Sequence, residues 1–539
     1  MQRIRINILA VLLLYMLFGN ISALAETGRQ ALDQRTGAAL QAKVHEAAIH
    51  PFVKAAKGAY AQMQFLIGNC YENGYGVDAN MEVAFNWYKR AAEQGHMLAQ
   101  DYVGYFYNVG KGATQNYTEA VKWYTLAAEQ GCAHAQNNLG DCYKYGWGVK
   151  ADDTEAFKWY MLSAEQGYIY AQDNVGYCYY AGIGVAQNYR EAIIWFLSST
   201  RLGSTFAQYT LGDCYQYGFG VEADDMQAFK WYMLSALHDY MHAQDNVGYF
   251  YYVGKGVAQN YTEAVKWFAA SAEQGSFFAQ YYLGVCYQYG HGVNADDTQA
   301  YKWYMLSAKQ GYMYAQNDVG YCYYDGTGVA QDYTEAVKWF TASAEQGSTS
   351  AQNKLGICYA YGYGVEVDDE EAFKWFMLAA EQGDMSAQEN VSKCYYGGKG
   401  VAHNYAEAIK WLTLSAKQGS ATAQNNLGAF YAEGLGVKVD DKEAFKWYML
   451  AAEQGNSDAQ TNVASCYAQG SGVEQSYEDA FKWYMLAAKQ GLAKAQYGLG
   501  LCYYYGEGVD KNFDTAMYWF EKAATQGIKE AMDMLREVR

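Results

Sequence analysis

The chain has 539 residues, of which 51% are hydrophobic and 17% aromatic, with 55 glycines, a single proline and a formal net charge of −18. Enough apolar and aromatic surface is present to bury a large core, which excludes a disordered or low-complexity chain, and one proline leaves no proline-rich linker between the separate globular units that such a length would suggest. The negative charge would repel phosphate backbones and anionic lipid surfaces, so nucleic acid is not an expected partner.

Residues 1–25 read as a signal peptide. Arg3 and Arg5 precede an apolar run from Ile8 to Phe18, and Ala23, Leu24 and Ala25 give a small-residue cleavage pattern before Glu26. The run is short for a span, and no later segment reaches the roughly twenty apolar residues that spanning needs, so no membrane span is expected after signal cleavage. No cysteine follows the cleavage point, which removes a simple lipid anchor and leaves an uncleaved N-terminal anchor open. The expectation is an exported protein, periplasmic or secreted. Residues 26–60 are expected to form a helical N-terminal cap.

From residue 61 to 527 the sequence repeats. Tryptophan recurs thirteen times without a slip from Trp87 to Trp519, at a period of 36 residues; in the same register run a tyrosine (Tyr71 to Tyr503), an alanine (Ala84 to Ala516) and a GxG pair (Gly74 and Gly76 to Gly506 and Gly508). Ala99, Val103 and Tyr107 stand at i, i+4 and i+8, while Ala120, Trp123, Tyr124 and Ala127 stand at i, i+3, i+4 and i+7, so each unit holds two amphipathic helices broken by GxG. The position at Asn116 is Asn, Asp or Ser in every unit, which marks the N-cap of the second helix, and that helix ends at Gln-Gly. Asp239 stands where the other units have that glycine, which points to a strained or re-angled joint. A lone hairpin cannot bury its apolar face, so the hairpins must stack. The predicted fold is all-α: a right-handed α/α superhelical solenoid of about thirteen helix-turn-helix repeats of 36 residues, closed by a capping helix over 528–539. Units with an acidic pair before the second helix, beginning at Asp152, Asp224, Asp296, Asp368 and Asp440, alternate with units of the AQNYTEA type, giving a second period of 72 residues. Internal duplication explains this period, as would a ligand that itself repeats.

Ten of the eleven cysteines, from Cys70 to Cys502, share one position per unit, where Phe106, Phe250 and Phe430 stand in other units; this is a core slot. Equivalent positions on stacked repeats lie about 10 Å apart, beyond disulfide reach, so no regular disulfides are expected. Cys132 lies outside the series and reads as a loop cysteine at the surface.

The unit LGxxYxxGxGVxxDxxxAxxWYxxAAxQG resembles the Sel-1-like repeat family, relatives of the tetratricopeptide repeats, across nearly the whole chain beyond the leader. The resemblance implies a scaffold that presents a concave surface to proteins or peptides, and it links several exported bacterial members to host contact. Some relatives carry a cysteine pair in each unit, and a few are linked to β-lactam chemistry; the single cysteine per unit here departs from that pattern. No serine has a lysine in the SxxK spacing, and HExxH and GxSxG are absent, so no catalytic residue, cofactor or metal is expected. His238 and His242 flank the helix break at Asp239 and make a poor metal pair. The GxG pairs read as turns, and the acidic pairs as helix caps.

A second stripe of the first helix is the binding candidate. Its leading position reads Asp101, Asn137, Asp173, Tyr209, Asp245, Tyr281, Asn317 and Asn353, and the next turn adds Tyr105, Asp141, Tyr177, Asp213, Tyr249 and Tyr321. By resemblance to tetratricopeptide repeats this stripe lines the concave groove, where tyrosines and asparagines suit a peptide backbone and its side chains. The expected partner is a basic or neutral peptide or protein segment, with a glycan as the alternative and a β-lactam hydrolase as the least favoured reading.

Overall fold

The computed structural model describes residues 61–75 and 77–537; the expected leader and N-terminal cap lie outside the described residues. Among the described residues all regular structure is helical, in twenty-seven helices that run from Ala61–Asn73 to Lys529–Glu537, nearly all thirteen residues long. None is long and apolar enough to cross a membrane. Each 36-residue repeat supplies a first and a second helix, as in Phe277–Tyr289 and Asp297–Lys309.

The breaks between helices follow from side-chain chemistry. Every second helix, from Met81–Glu93 to Phe513–Thr525, starts at an extended Asn, Asp or Ser whose side chain accepts from the amide three residues on. Such a cap is worth about 0.5–2 kcal/mol. The first helix ends at the first glycine of GxG, left-handed at Gly290 with φ 69°, and the N-cap amide then bonds the repeated tyrosine's carbonyl, Asp296 N to Tyr287 O at 2.9 Å. The second glycine meets a further constraint: a Cβ on Gly292 would run into the backbone of Tyr261, at the start of the preceding second helix. At the far end of the hairpin Asp239 adopts the left-handed conformation of its glycine counterparts, with φ 59°, and the helix before it, Asp225–Ala236, stops a residue short of the usual length. The joint keeps its form at the strain an aspartate can bear there.

The core is set by small residues under large ones. The first-helix glycine of most repeats lies beneath a buried ring of the second helix; a Cβ on Gly104 would sit 2.6 Å from Tyr124, and one on Gly320 would sit 2.6 Å from Phe340. Where the glycine becomes Ser392 the ring becomes Leu412, and Ser392 Oγ donates to Ala408 O at 2.8 Å. Where it becomes Ala464, Tyr484 moves over Gly498 of the following first helix. The repeated tryptophan joins neighbours, as Trp159 packs on the cluster of Ala120, Tyr124 and Leu139, and Trp375 on that of Phe340 and Leu355.

A buried glutamine chain runs beside this apolar packing. The first-helix glutamine donates to the last turn of the preceding second helix, Gln100 Nε2 to Ala92 O at 3.2 Å, and accepts from the glutamine that caps its own second helix. Eleven of the repeats make this Gln–Gln bond. In the two others Leu202 and His238 replace the capping glutamine, and the Oε1 atoms of Gln172 and Gln208 are left buried with no partner among the described residues.

The chain divides into two compact units, one reaching Ala243 and including Lys255–Val257, the other formed by Gln244–Gly254 and Ala258 onward. Each is an all-α solenoid of hairpins stacked in chain order. The helix Lys529–Glu537 takes the place of a first helix and packs Ala531 and Leu535 on Phe520. All eleven cysteines are free, and the ten in register sit in the core slot, nine of them buried. Cys132 corrects the expectation of a surface cysteine: it stands where Ser204 and Ser276 cap later first helices, and it is buried.

Two stability changes follow. Leu202→Gln should restore the missing bond to Gln172 and raise stability by about 1 kcal/mol in urea denaturation; an unchanged or lower midpoint would show that the orphaned oxygen costs nothing. Gly320→Ala should destabilise by about 1–3 kcal/mol through overpacking against Phe340, and Phe340→Leu in the same chain should recover part of the loss, as the Ser392–Leu412 pair implies; a double variant no better than the sum of the singles would contradict the glycine–ring account.

Candidate functional site: the first-helix face

Most groups at the leading position of the predicted stripe are engaged by the same or the next repeat, although Asp101 Oδ1 and Asn317 Oδ1 are buried with no hydrogen-bond partner among the described residues. Asp101 is buried, with Oδ2 2.7 Å from His134 Nδ1 of the next repeat. Asp173 accepts from Ser199 and Ser204 at 2.5 and 2.8 Å, and Asp245 accepts from Ser271 and Ser276 at 2.6 and 2.9 Å. Asn137 accepts from Asn174, and Asn353 from Asn390, at 3.0 and 2.9 Å. Asn317 donates to Asp318 at 3.0 Å. Tyr209 lies against Tyr232 and Tyr240, and Tyr281 against Tyr304 and Tyr312. This line of groups is a polar ladder that joins consecutive repeats.

One turn further on, the stripe divides by residue type. Asp141 and Asp213 accept from the buried hydroxyls of Tyr160 and Tyr232, each at 2.6 Å. Tyr249 is half-buried against Phe278 and Tyr282, and Tyr321 reaches Ser350 Oγ at 3.2 Å with Lys354 5.0 Å from its ring centroid. Tyr105 and Tyr177 are the outward members, 38% and 36% exposed. The structure adds Tyr170 and Tyr314, 62% and 53% exposed, which stand seven residues before Tyr177 and Tyr321 on the same helix face. That i, i+7 spacing was visible in the sequence, but tyrosine is common at many positions and only exposure separates these two from the packed ones.

The 72-residue period has a physical counterpart here. In the repeats whose second helix carries Tyr160, Tyr232 or Tyr304, a first-helix Asp or Gln takes the hydroxyl, as Gln288 does for Tyr304 at 2.6 Å. In the repeats between and after these, phenylalanine stands there as Phe196, Phe268 and Phe340, and first-helix tyrosines pack on it, as Tyr321 does on Phe340 with centroids 5.2 Å apart. Tyr124 departs from this pairing: its hydroxyl is buried with no hydrogen-bond partner among the described residues.

Burial dominates the electrostatics of this face. Asp213 and Asp318 are each pushed up to about 6 by loss of solvent, against hydrogen bonds from Tyr232 to the first and from Asn317 and Tyr281 to the second. Burial likewise raises Asp141 and Asp173, while the bond to Asp101 raises His134. His238 caps its own helix near Leu234 O at 2.9 Å, and no group of three His, Cys, Asp or Glu among the described residues is arranged to hold a metal ion. The face offers ring surfaces, phenol hydroxyls and amides on a hydrogen-bonded support.

The Sel1 repeat model matches the chain thirteen times, at residues 61–96, 98–132 and 133–168 and so on to 457–492 and 493–528. Among solved structures, c5321, described as a protective antigen present in uropathogenic Escherichia coli strains displaying an SLR fold, is 32% identical, with a TM-score of 0.70 over 91% of this chain and 97% of that one. A Sel1 repeat protein from Oxalobacter formigenes is 30% identical over 57% of this chain and 90% of that one, with a TM-score of 0.47. Among curated proteins none matches.

The raised carboxyls give a signed pH dependence. Asp213 and Asp318 hold their protons more tightly folded than unfolded, so ionising them costs stability as pH rises from about 4 through about 6, and acidification over that window returns it. Between pH 7 and pH 5 the wild type should therefore gain on the order of 1–2 kcal/mol per site relative to Asp213→Asn and Asp318→Asn chains in urea denaturation. Parallel curves for wild type and variants would remove the effect.

Proposed function

Because the chain belongs to the Sel1 repeat family and is a Sel1 repeat scaffold, we propose that it is an exported, non-catalytic adaptor that holds a protein or peptide segment against its first-helix face. The observation that carries this reading is the contrast between the exposed rings of Tyr105, Tyr170, Tyr177 and Tyr314 and the ladder beneath them, most of whose groups are bound within the chain. A face kept only for solubility would carry lysine and glutamate; outward tyrosines on a fixed support suit recognition at low cost in side-chain entropy. Export is supported by the charged, apolar and small-residue pattern of residues 1–25 and by the description of the similar Escherichia coli protein as a protective antigen.

The test is a pull-down from envelope and host-surface extracts with the wild type and with a Tyr170→Ala, Tyr177→Ala, Tyr314→Ala variant. A protein retained by the wild type and reduced about tenfold with the variant, at unchanged helical content, is expected. Equal retention by both would remove this face from binding, and retention of a glycan in place of a protein would replace the peptide reading with the sugar one.

A further inference from the structure

The edge formed by the GxG turns and the starts of the second helices carries a pattern that the first-helix face does not use. At four alternate repeats the residue between the two glycines is aromatic and is sandwiched, whereas Leu435 stands there in the next repeat of that phase. Trp147 stacks on Tyr117 of the preceding second helix and on Tyr145, with centroids 5.9 and 4.8 Å apart. Phe219 stacks on Tyr189 at 5.0 Å and lies 5.7 Å from Tyr217. In the second unit His291 stacks on Tyr261 at 4.4 Å and on Tyr289 at 5.8 Å, and Tyr363 lies between Tyr333 and Tyr361 at 5.1 and 6.0 Å. The outer ring of each sandwich, Tyr145, Tyr217, Tyr289 or Tyr361, is 54–69% exposed.

Each sandwich is followed, as its turn enters the second helix, by an acidic pair: Asp152 with Asp153, Asp224 with Asp225, Asp296 with Asp297, Asp368 with Asp369. Only one oxygen of the first aspartate is used in capping, as in Asp152 Oδ1 to Glu155 N. Beyond the Tyr361 sandwich the pair opens on a hollow of about 740 Å³ walled by Asp368, Asp369, Glu370 and the Gly398–Ala402 turn. Two contacts inside the chain show what such groups attract. Lys255 Nζ reaches Asp225 at 3.2 Å, and Lys144 Nζ sits 5.1 Å from the ring centroid of Tyr145. At the other three outer tyrosines the residue before the ring is Gln216, Gln288 or Ala360, which supplies no cation.

We propose that this edge, in each unit, docks a basic polypeptide whose arginine or lysine groups lie on the outer tyrosines and against the carboxylate pairs beside them. Ring face and carboxylate together are the chemistry of a cation site, and the chain's net charge of −18 favours a cationic partner and repels an anionic polymer. A neutral glycan would use the rings and gain little from paired carboxylates. Two stacked repeats advance about 16–20 Å, which an extended polypeptide covers in about six residues, so the fitting partner carries cations at about that interval.

The experiment titrates the full chain with a labelled Gly/Ser peptide carrying arginine at about every sixth position, with its glutamine counterpart, and with a neutral chito-oligosaccharide. The wild type should bind the arginine peptide alone. Tyr145→Ala, Tyr217→Ala, Tyr289→Ala and Tyr361→Ala combined should weaken it about tenfold or more at unchanged net charge, and phenylalanine at the same four positions should restore it. Should the alanine chain fail to fold, Asp153→Asn with Asp297→Asn provides the second measure and should also weaken binding. Tyr170→Ala with Tyr314→Ala on the first-helix face should leave it unchanged, so that failure of the adaptor reading and failure of this one are told apart. Equal binding by the alanine variant would reduce the effect to bulk charge and overturn the proposal, as would binding of the glutamine peptide or of the oligosaccharide, or equal loss on altering the first-helix face.

Discussion

A glycine of the first helix lying under a ring of the second is the contact on which the hairpin depends. Helix backbones that close cannot accommodate a Cβ between them, and the ring that fills the gap shields the surrounding alanines from water. The exceptions obey the same volume rule. Ser392 faces Leu412, and Ala464 sends Tyr484 over Gly498, which is the neighbouring repeat's own concession of volume. Packing is therefore negotiated across two consecutive hairpins, and a repeat is not an independent jigsaw piece.

Above that apolar contact lie two polar systems with different tasks. The glutamine chain ties the end of each second helix to the first helix that follows and is nearly the same from one repeat to the next. The ladder of Asp, Asn, Ser and Tyr groups is not uniform: at some repeats it is a carboxylate or amide bonded to the next repeat, at others a tyrosine ring packed on it. Leu202 and His238 interrupt the first system in consecutive repeats, the second of which also holds Asp239 with φ 59°. Two orphaned glutamine oxygens and one left-handed aspartate thus fall within one stretch of chain.

Two surfaces emerge from this arrangement, and they differ in kind. On the first-helix face, exposed tyrosines rise from a support that is already hydrogen-bonded, so little ordering remains when a partner arrives. Along the turn edge, sandwiched rings alternate with carboxylates, and the acidic pairs that cap the second helices also set the sign of the field there. From Trp147 to Tyr363 the acidic pairs and the ring sandwiches share one 72-residue phase, while the pair at Asp440 follows Leu435 in place of a ring.

The sequence by itself determined the local order of this protein. The 36-residue spacing of Trp, Tyr, Ala and GxG, the Asn, Asp or Ser caps and the Gln-Gly ends specify where each helix begins and stops, because those signals act over a few bonds of backbone. The Cys and Phe exchange at Cys70, Phe106 and their counterparts likewise marked a core slot. Tertiary structure decided which polar groups remain outside. Asp101, Asp173 and Asp245 look like groove residues on a helical wheel, yet they are drawn into bonds with the neighbouring repeat, and Cys132 is buried because it takes a serine's place in that ladder. Exposure depends on a neighbour at a separation of about thirty residues, whose side chain either supplies the matching donor or does not; a single helix's periodicity carries no record of it.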